Sequence, residues 1–115
     1  MVVDLRAKQH KFAVMTAKLI IYIDKMGYTV SYDGAYSPPD SYQITKDGGM
    51  KRLHMIDSLH ESRLAVDLNL FKDNVYLTET SDHLQFGEYW EQMGGSWGGR
   101  FNDGNHYSFE NNGIK

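Results

Sequence analysis

The sequence predicts an α+β domain in which helices flank a small antiparallel sheet. Three observations lead to this prediction: apolar residues recur at helical spacing near the start, two alternating stretches flank a tight turn in the middle, and a capped helical segment follows them. Helices and strands that come in separate runs are typical of α+β folds. A chain of 115 residues is expected to form one domain, residues 1–115, with a single core of useful size.

The first predicted helix runs from about Gln9 to Met26, and Gly27 follows it as the C-terminal stop. The apolar residues of this segment lie close to one helical face, and they are Phe12, Leu19, Ile20, Ile23 and Met26. The next segment, YTVSYDGAYS (28–37), alternates and is rich in Tyr, Thr and Val. It is therefore predicted to form a short strand.

A loop and a hairpin are predicted next. The stretch SPPDSYQITKDGG (37–49) contains two prolines and a Gly-Gly pair, so it is predicted to be mostly loop. The stretch RLAVDLNLF (63–71) alternates as a strand does, and KDN (72–74) is a tight turn into VYLTE (75–79). Two strands joined by so short a turn indicate an antiparallel hairpin.

The last part of the chain predicts a second helix and two short strands. The segment SDHLQFGEYWEQMGG (81–95) opens with a Ser/Asp cap and ends on glycines, as helices commonly do. Short strands are predicted in SWGGRF (96–101) and HYSFE (106–110), on either side of a DGN turn.

The composition excludes several classes of protein. The formal charge is -3 and the basic residues are scattered, so no nucleic-acid partner is expected. The chain has no cysteine, which rules out disulfides, thiolate metal sites and a cysteine nucleophile. The longest apolar stretch, LIIYI (19–23), is too short to span a bilayer, and MVVDLRAKQHK at the start lacks the pattern of a signal peptide. We therefore expect no membrane partner and synthesis in the cytoplasm.

Asp67 is an acid inside an otherwise apolar strand. An ionised carboxylate in that setting costs free energy unless a partner compensates it, and neither a turn nor a helix cap explains it. Alternation places Asp67 on one face of the strand with Ala65 and Asn69. The opposite, core face has Leu64, Val66, Leu68 and Leu70. We expect Asp67 to point into a cleft that covers the sheet.

His60 precedes Asp67 by seven residues, and Asp103 stands three residues before His106 across a glycine turn. Two histidines and an aspartate from separate strands can form a three-ligand zinc site whose open fourth position is typical of catalytic zinc. A water bound there reaches a pKa of about 7, and a further carboxylate nearby can accept its proton.

The residue types also allow an interpretation without a metal. An aspartate beside DGN is commonly a turn former, and an isolated histidine commonly lies on the surface or in the core. We assign His10, His54 and His83 to the surface or the core. Spacing alone leaves both interpretations open for the remaining residues.

Four segments together resemble one family of zinc peptidases. Ser58-x-His60, Ala65-x-Asp67, the tryptophan–glycine segment SWGGRF and Asp103-x-x-His106 are similar to the family's S-x-H-x(6)-D and D/E-x-x-H pattern. The family contains D-alanyl-D-alanine carboxypeptidases and dipeptidases and the L-alanyl-D-glutamate endopeptidases of bacteriophage. The resemblance covers residues 57–114 and implies the hedgehog-like fold of the zinc D,D-peptidases.

The resemblance also implies the roles of individual residues. His60, Asp67 and His106 fall where the family places the ligands of one Zn²⁺ per chain, and Asp103 falls where it places the catalytic acid/base. Ser58 falls at the family's serine, which would orient a ligand.

The implied function is hydrolysis of an amide bond in the stem peptide of bacterial peptidoglycan, of the L-Ala–D-Glu or D-Ala–D-Ala type. The implied setting is a phage lysis enzyme, made in the cytoplasm of the infected host and acting on its wall, or a virion-carried enzyme. A monomer is expected. The alternative is a degenerate, non-catalytic phage protein of the same fold that binds zinc or the wall.

The sequence departs from the family pattern at three places. One is the end of the pattern, where HYSFE (106–110) replaces the tighter histidine-aromatic-glutamate of many members, so the resemblance implies no role for Glu110. Many members have a Tyr-Arg pair on the early strand whose arginine polarises the scissile carbonyl, and here Ser37 follows Tyr36. Many members also have Gly where this chain has Arg63. Arg63 is either a substitute for the missing arginine or a surface charge. Tyr36, Trp90 and Trp97 could line a substrate groove, and core packing is the alternative that we favour for both tryptophans.

Overall fold

The computed structural model describes residues 5–34, 42–44, 50–52, 59–60, 62–111 and 113–115. The α-helices are α1 (Leu5–Lys25) and α2 (Leu84–Gln92), and single-turn 3-10 helices lie at Thr80–His83 and Gly98–Phe101. The strands are β1 (Thr29–Gly34), β2 (Tyr42–Ile44), β3 (Met50–Arg52), β4 (Ala65–Lys72), β5 (Val75–Leu77), β6 (Ser96–Trp97) and β7 (His106–Ser108). The α+β fold class predicted from the sequence is confirmed.

The main sheet has five strands, and β4 lies at its centre. The strand order is β1-β4-β7-β6, and β5 pairs with the end of β4 beyond β7. Every pairing is antiparallel. Strands β2 and β3 form a separate antiparallel pair. Because β4 has neighbours on both edges, residues at its start are placed by two strands at once.

Helix α1 begins four residues before the predicted start and ends, as predicted, before Gly27. Gly27 has a φ of 87°, the left-handed conformation that glycine adopts without strain at the end of a helix. The buried residues of α1 are Phe12, Met15, Thr16, Leu19 and Ile23. Met26 is 45% exposed, so its predicted place on the apolar face is wrong; it lies beyond the last helical residue, where the helical periodicity no longer applies.

The predicted hairpin of β4 and β5 is confirmed. Its two turn residues, Asp73 and Asn74, have φ angles of 51° and 63°. Two successive positive φ angles are the mark of a type I′ turn, whose twist matches that of the strands it joins. Asp and Asn tolerate this left-handed conformation better than other non-glycine residues.

One local prediction is covered only in part by the described residues, and another needs correction. Within the stretch predicted to be mostly loop (37–49), residues Tyr42–Ile44 form a strand, and the rest of that stretch lies outside the described residues. The predicted Ser/Asp cap of the second helix does not start α2. The chain first makes a 3-10 turn, in which the backbone N–H of Glu79 donates to Asp82 Oδ2 at 3.0 Å, and α2 begins only at Leu84.

The core joins both helices to one face of the sheet. The rings of Phe12 (α1) and Tyr107 (β7) both lie edge-on to Trp90 (α2), with centroids 5.6 Å and 5.8 Å away. The predicted core residues of β4 and the residue before it are 0–2% exposed, and they are Leu64, Val66, Leu68 and Leu70. Asp67 and Asn69 are half-buried on the other face, as the alternation predicts, whereas Ala65 is buried as well. Within the part of the chain that the structure describes, no helix is long and apolar enough to cross a membrane.

Candidate metal centre

Strands β4 and β7 bring Asp67 and His106 side by side. The register of this pair places the two residues directly opposite each other. Directly opposite residues of an antiparallel pair extend their side chains from the same face of the sheet. Accordingly, His106 Nδ1 lies 3.0 Å from Asp67 Oδ1.

His60 reaches the same place from a turn that precedes β4. The turn is closed by backbone bonds from Leu64 N–H to the Leu59 carbonyl at 2.7 Å and from Arg63 N–H to the His60 carbonyl at 3.3 Å. Helix α1 holds the turn from outside, because the side-chain amide of Gln9 donates to the Ser62 carbonyl at 2.9 Å. The turn leaves His60 Nε2 3.5 Å from Asp67 Oδ2.

The three side chains form a compact donor group on one face of the sheet. One ligand atom from each of His60, Asp67 and His106 lies within 4.8 Å of the other two. His60 is buried, with its side chain 8% exposed, whereas the side chains of Asp67 and His106 are 24% and 18% exposed. The donor group is thus covered on the His60 side and reaches solvent on the other.

The geometry of this group fits a divalent metal ion. Four-coordinate zinc with bonds of 2.0–2.2 Å places its ligand atoms about 3.4 Å apart. The Asp67 carboxylate lies 3.5 Å from His60 Nε2 through Oδ2 and 3.0 Å from His106 Nδ1 through Oδ1, on either side of that value. Two imidazole nitrogens and one carboxylate oxygen suit zinc and several other divalent ions. The chain therefore has a His/Asp/His group that could hold a metal.

A backbone hydrogen bond connects Asp103 with His106 of this donor group. The N–H of His106 donates to the Asp103 carbonyl at 3.1 Å, so the two residues close one turn, which we call the 103–106 turn. The Asp103 side chain is exposed and is not one of the three convergent donors. It lines a polar cavity of about 180 Å³ together with Asn69 and His83.

Arg63 is exposed and lies on a different surface. It lines an apolar groove of about 450 Å³ between α1 and the sheet, together with Val66. Val66 and Asp67 are consecutive in β4, so their side chains leave opposite faces of the sheet. Arg63 therefore lies on the α1 side of β4, whereas the donor group lies on the opposite face of the sheet. Its φ of 58° is left-handed, a conformation that favours glycine.

The two tryptophans are core residues. Trp97 is 4% exposed, and its indole N–H donates to the Gly104 carbonyl at 2.7 Å. Trp90 is 0% exposed, and its indole N–H donates to the Ser108 carbonyl at 2.8 Å. Both rings pack in the core, as the alternative interpretation expects. Trp97 also borders a cavity of about 300 Å³ together with Glu91 and Arg100, so its place in a substrate groove stays a prediction. The predicted residues Ser58, Tyr36 and Ser37 lie outside the described residues.

His83 is a buried histidine with a neighbour of its own. It is 4% exposed, and its Nδ1 lies 2.8 Å from the hydroxyl of Tyr107. Burial lowers the pKa of His83, against a smaller opposing effect of Asp82, and burial raises the pKa of Tyr107 far above its ordinary value. His83 is thus a core histidine, as the sequence suggested, and is not part of the donor group.

Sequence reasoning did not single out two residues that hold the 103–106 turn. Gly98 accepts the N–H of Asp103 at 2.9 Å, and a side-chain carbon on Gly98 would overlap the Asp103 carbonyl and the His106 side chain. The hydroxyl of Thr80 accepts the N–H of Gly104 at 3.2 Å. The glycine pair in SWGGRF was the available signal for Gly98, whereas nothing in the sequence connects Thr80 with a turn 24 residues away.

Comparison with known families places the donor group in a matched segment. Residues 54–109 match the model of a peptidase family described as D-alanyl-D-alanine carboxypeptidase. This segment is just under half of the 115-residue chain and contains His60, Asp67, Asp103 and His106. The search of curated proteins found no match. The family match agrees with the resemblance drawn from the sequence.

Proposed function

We propose that the protein is a zinc-dependent peptidase that hydrolyses an amide bond in the stem peptide of bacterial peptidoglycan. The observation that carries the proposal is the convergence of His60, Asp67 and His106, whose ligand atoms lie within 4.8 Å of one another inside the segment that matches a carboxypeptidase family. The bond is of the D-Ala–D-Ala or the L-Ala–D-Glu type, and the setting is phage lysis or a virion. One zinc is held per monomeric chain.

Metal binding, proton transfer and ligand orientation would be carried out by different residues of the chain. His60, Asp67 and His106 would hold the ion, which when bound supplies a Lewis acid for a carbonyl oxygen and lowers the pKa of water. The exposed carboxylate of Asp103 would accept a proton from the attacking water, as a general base, and would pass it to the amine nitrogen as the amide C–N bond breaks, as a general acid. Ser58 would orient a ligand by hydrogen bonding. Exposure of the Asp67–His106 side leaves room for a peptide to approach.

The test is metal analysis combined with wall digestion. The purified protein should contain about one zinc per chain and release peptides from peptidoglycan, and a chelator should stop the release. His60→Ala, Asp67→Ala and His106→Ala should each lower the zinc content and abolish hydrolysis. His10→Ala is the matched control, because His10 is an exposed histidine on α1. Full zinc occupancy in all three variants would overturn the ligand assignment. Mass analysis of the released fragments identifies the bond.

The second candidate is a non-catalytic protein of the same fold that binds zinc or the cell wall. Two observations support it: Ser37 follows Tyr36 where many family members have the carbonyl-polarising arginine, and Arg63 lines the groove on the α1 side of β4. In that case the protein should sediment with insoluble peptidoglycan and release no peptide from it. Release of chelator-sensitive fragments would exclude this candidate.

A further inference from the structure

We propose that Trp97 is a positioning residue for the 103–106 turn, acting through its indole N–H on the Gly104 carbonyl. The inference rests on the proposed function, because it concerns the turn that joins the proposed base Asp103 to the proposed ligand His106. It assigns Trp97 a place behind the site, in contact with neither metal nor substrate.

The bond from Trp97 is the buried attachment of this turn. The indole nitrogen lies 2.7 Å from the Gly104 oxygen, and Trp97 is 4% exposed. If the indole N–H and the carbonyl separated, both would remain buried without a hydrogen-bond partner, which costs free energy. On either side of Gly104 the backbone is bonded to other elements, Asp103 N–H to the Gly98 carbonyl at 2.9 Å and the Asn105 carbonyl to the Leu68 N–H of β4 at 2.9 Å. Gly104 itself is bonded through side chains, its carbonyl by Trp97 and its N–H by Thr80.

Two further contacts act on the same turn from other elements. Gly98, the residue after Trp97, accepts the Asp103 N–H at 2.9 Å, and a side chain there would collide with the turn. Thr80 accepts the Gly104 N–H at 3.2 Å. The N–H and the carbonyl of Gly104 are thus held from two directions, by Thr80 and by Trp97.

A shift of Gly104 would move both proposed functional groups. His106 N–H donates to the Asp103 carbonyl at 3.1 Å, so the turn transmits displacement to a base and a ligand together. Functional groups must stay within about 0.5 Å of their working geometry, and partners behind a metal ligand typically change metal affinity by 10–100-fold when removed. Loss of the indole hydrogen bond should therefore weaken zinc binding.

Trp90 allows this role to be separated from simple core filling. It is equally buried and also donates its indole N–H to a backbone carbonyl, at 2.8 Å. Its acceptor, however, is Ser108, which the sheet already holds by pairing with Ala65 on one side and Ser96 on the other. Trp90→Phe thus removes the same bond type from the core and leaves the 103–106 turn attached.

The experiment compares Trp97→Phe with Trp90→Phe. Three quantities are measured on each full-length variant: the unfolding temperature, the zinc Kd by competition with a chelator, and the amide hydrogen exchange of Asp103 and His106 in the metal-free protein. We expect both variants to unfold at a lower temperature than the wild type. Only Trp97→Phe should weaken zinc binding, by about tenfold, and speed exchange at the two turn amides. Equal zinc affinity and equal exchange in the two variants would overturn the inference.

A second pair of variants covers the case in which Trp97→Phe does not fold. Thr80→Val removes the other attachment of Gly104 without a change in shape, and Thr78→Val is its control, because Thr78 is exposed and lines the same cavity. Faster exchange at Asp103 and His106 in Thr80→Val alone would show that the turn depends on the attachments of Gly104, as the inference requires. Unchanged exchange in Thr80→Val would overturn the inference. A wild-type protein that binds no zinc refutes the proposed function, while the exchange data still decide the positioning role.

Discussion

Nδ1 of His106 lies 3.0 Å from Oδ1 of Asp67, although 39 positions separate the two residues along the chain. Their contact results from the register of β7 against β4, which places the two residues opposite each other. A slip of one residue would turn one of the side chains to the other face of the sheet. The candidate metal group therefore requires a correctly paired sheet, and folding and metal binding should be linked.

Asp67→Asn should remove most of the stabilisation by zinc. Zinc that binds the folded state alone adds about 2.7 kcal/mol of stability at a concentration 100 times its Kd. The amide has nearly the shape of the carboxylate but lacks its charge, so the zinc-induced rise in unfolding temperature should be largely lost. Asp73→Asn is the control, because Asp73 lies in the exposed hairpin turn, where Asn is equally acceptable. An unchanged zinc-induced shift in Asp67→Asn would argue against Asp67 as a ligand.

Asp103→Asn should separate the role of base from that of ligand. Asn preserves the backbone bond to His106 but cannot accept a proton at neutral pH. We expect normal zinc content and hydrolysis reduced by roughly 10²–10⁴-fold, with a change in the acid limb of the pH–rate profile. Loss of zinc would instead make Asp103 a ligand. Hydrolysis near the wild-type rate would reduce it to a turn residue.

Arg63→Ala should change hydrolysis by less than about threefold, because Arg63 lines the groove on the side of β4 opposite Asp67. A fall in kcat of roughly 10²–10³ with zinc retained would restore its role as an electrophilic aid.

Arg63→Gly should raise the stability of the folded protein. Glycine relieves the left-handed φ of 58°, and the relief exceeds the entropic cost in the unfolded chain by roughly 0.5–1 kcal/mol. Chemical denaturation measures this gain.

The stability of the metal-free protein should fall as the pH falls below about 6.5, in part because of His83. Burial lowers the pKa of His83 in the folded state, with Asp82 opposing this effect, whereas the unfolded chain takes up the proton near the ordinary value of 6.5. Between the two pKa values the unfolded state binds more protons, so stability decreases with decreasing pH. Urea denaturation from pH 7.5 to 5, with chelator present, should show a smaller slope for His83→Gln than for the wild type. Parallel curves would mean that His83 titrates alike in both states.

Most elements of the fold could be predicted from the sequence because they depend on neighbouring residues. The helical period of α1, the glycine that ends it and the Asp73–Asn74 turn are properties of short segments. The strand Tyr42–Ile44 was not predicted, since three residues are too few to show alternation among prolines and glycines. The 3-10 turn before α2 was missed because the same capping residues can start either kind of helix.

The candidate site divides in the same way. Residue types, spacing and a family resemblance selected His60, Asp67, Asp103 and His106 without any coordinates. Only the tertiary structure showed that three of them converge, that Asp103 is attached to the group through a backbone turn, and that Arg63 belongs to another surface. It also placed Trp97 in the core, which was one of the two alternatives that the sequence left open. Helical period and turn chemistry are decided within a few residues, whereas the face and the neighbour of a side chain depend on strand register and packing between segments far apart in the chain, where no local preference selects among the alternatives.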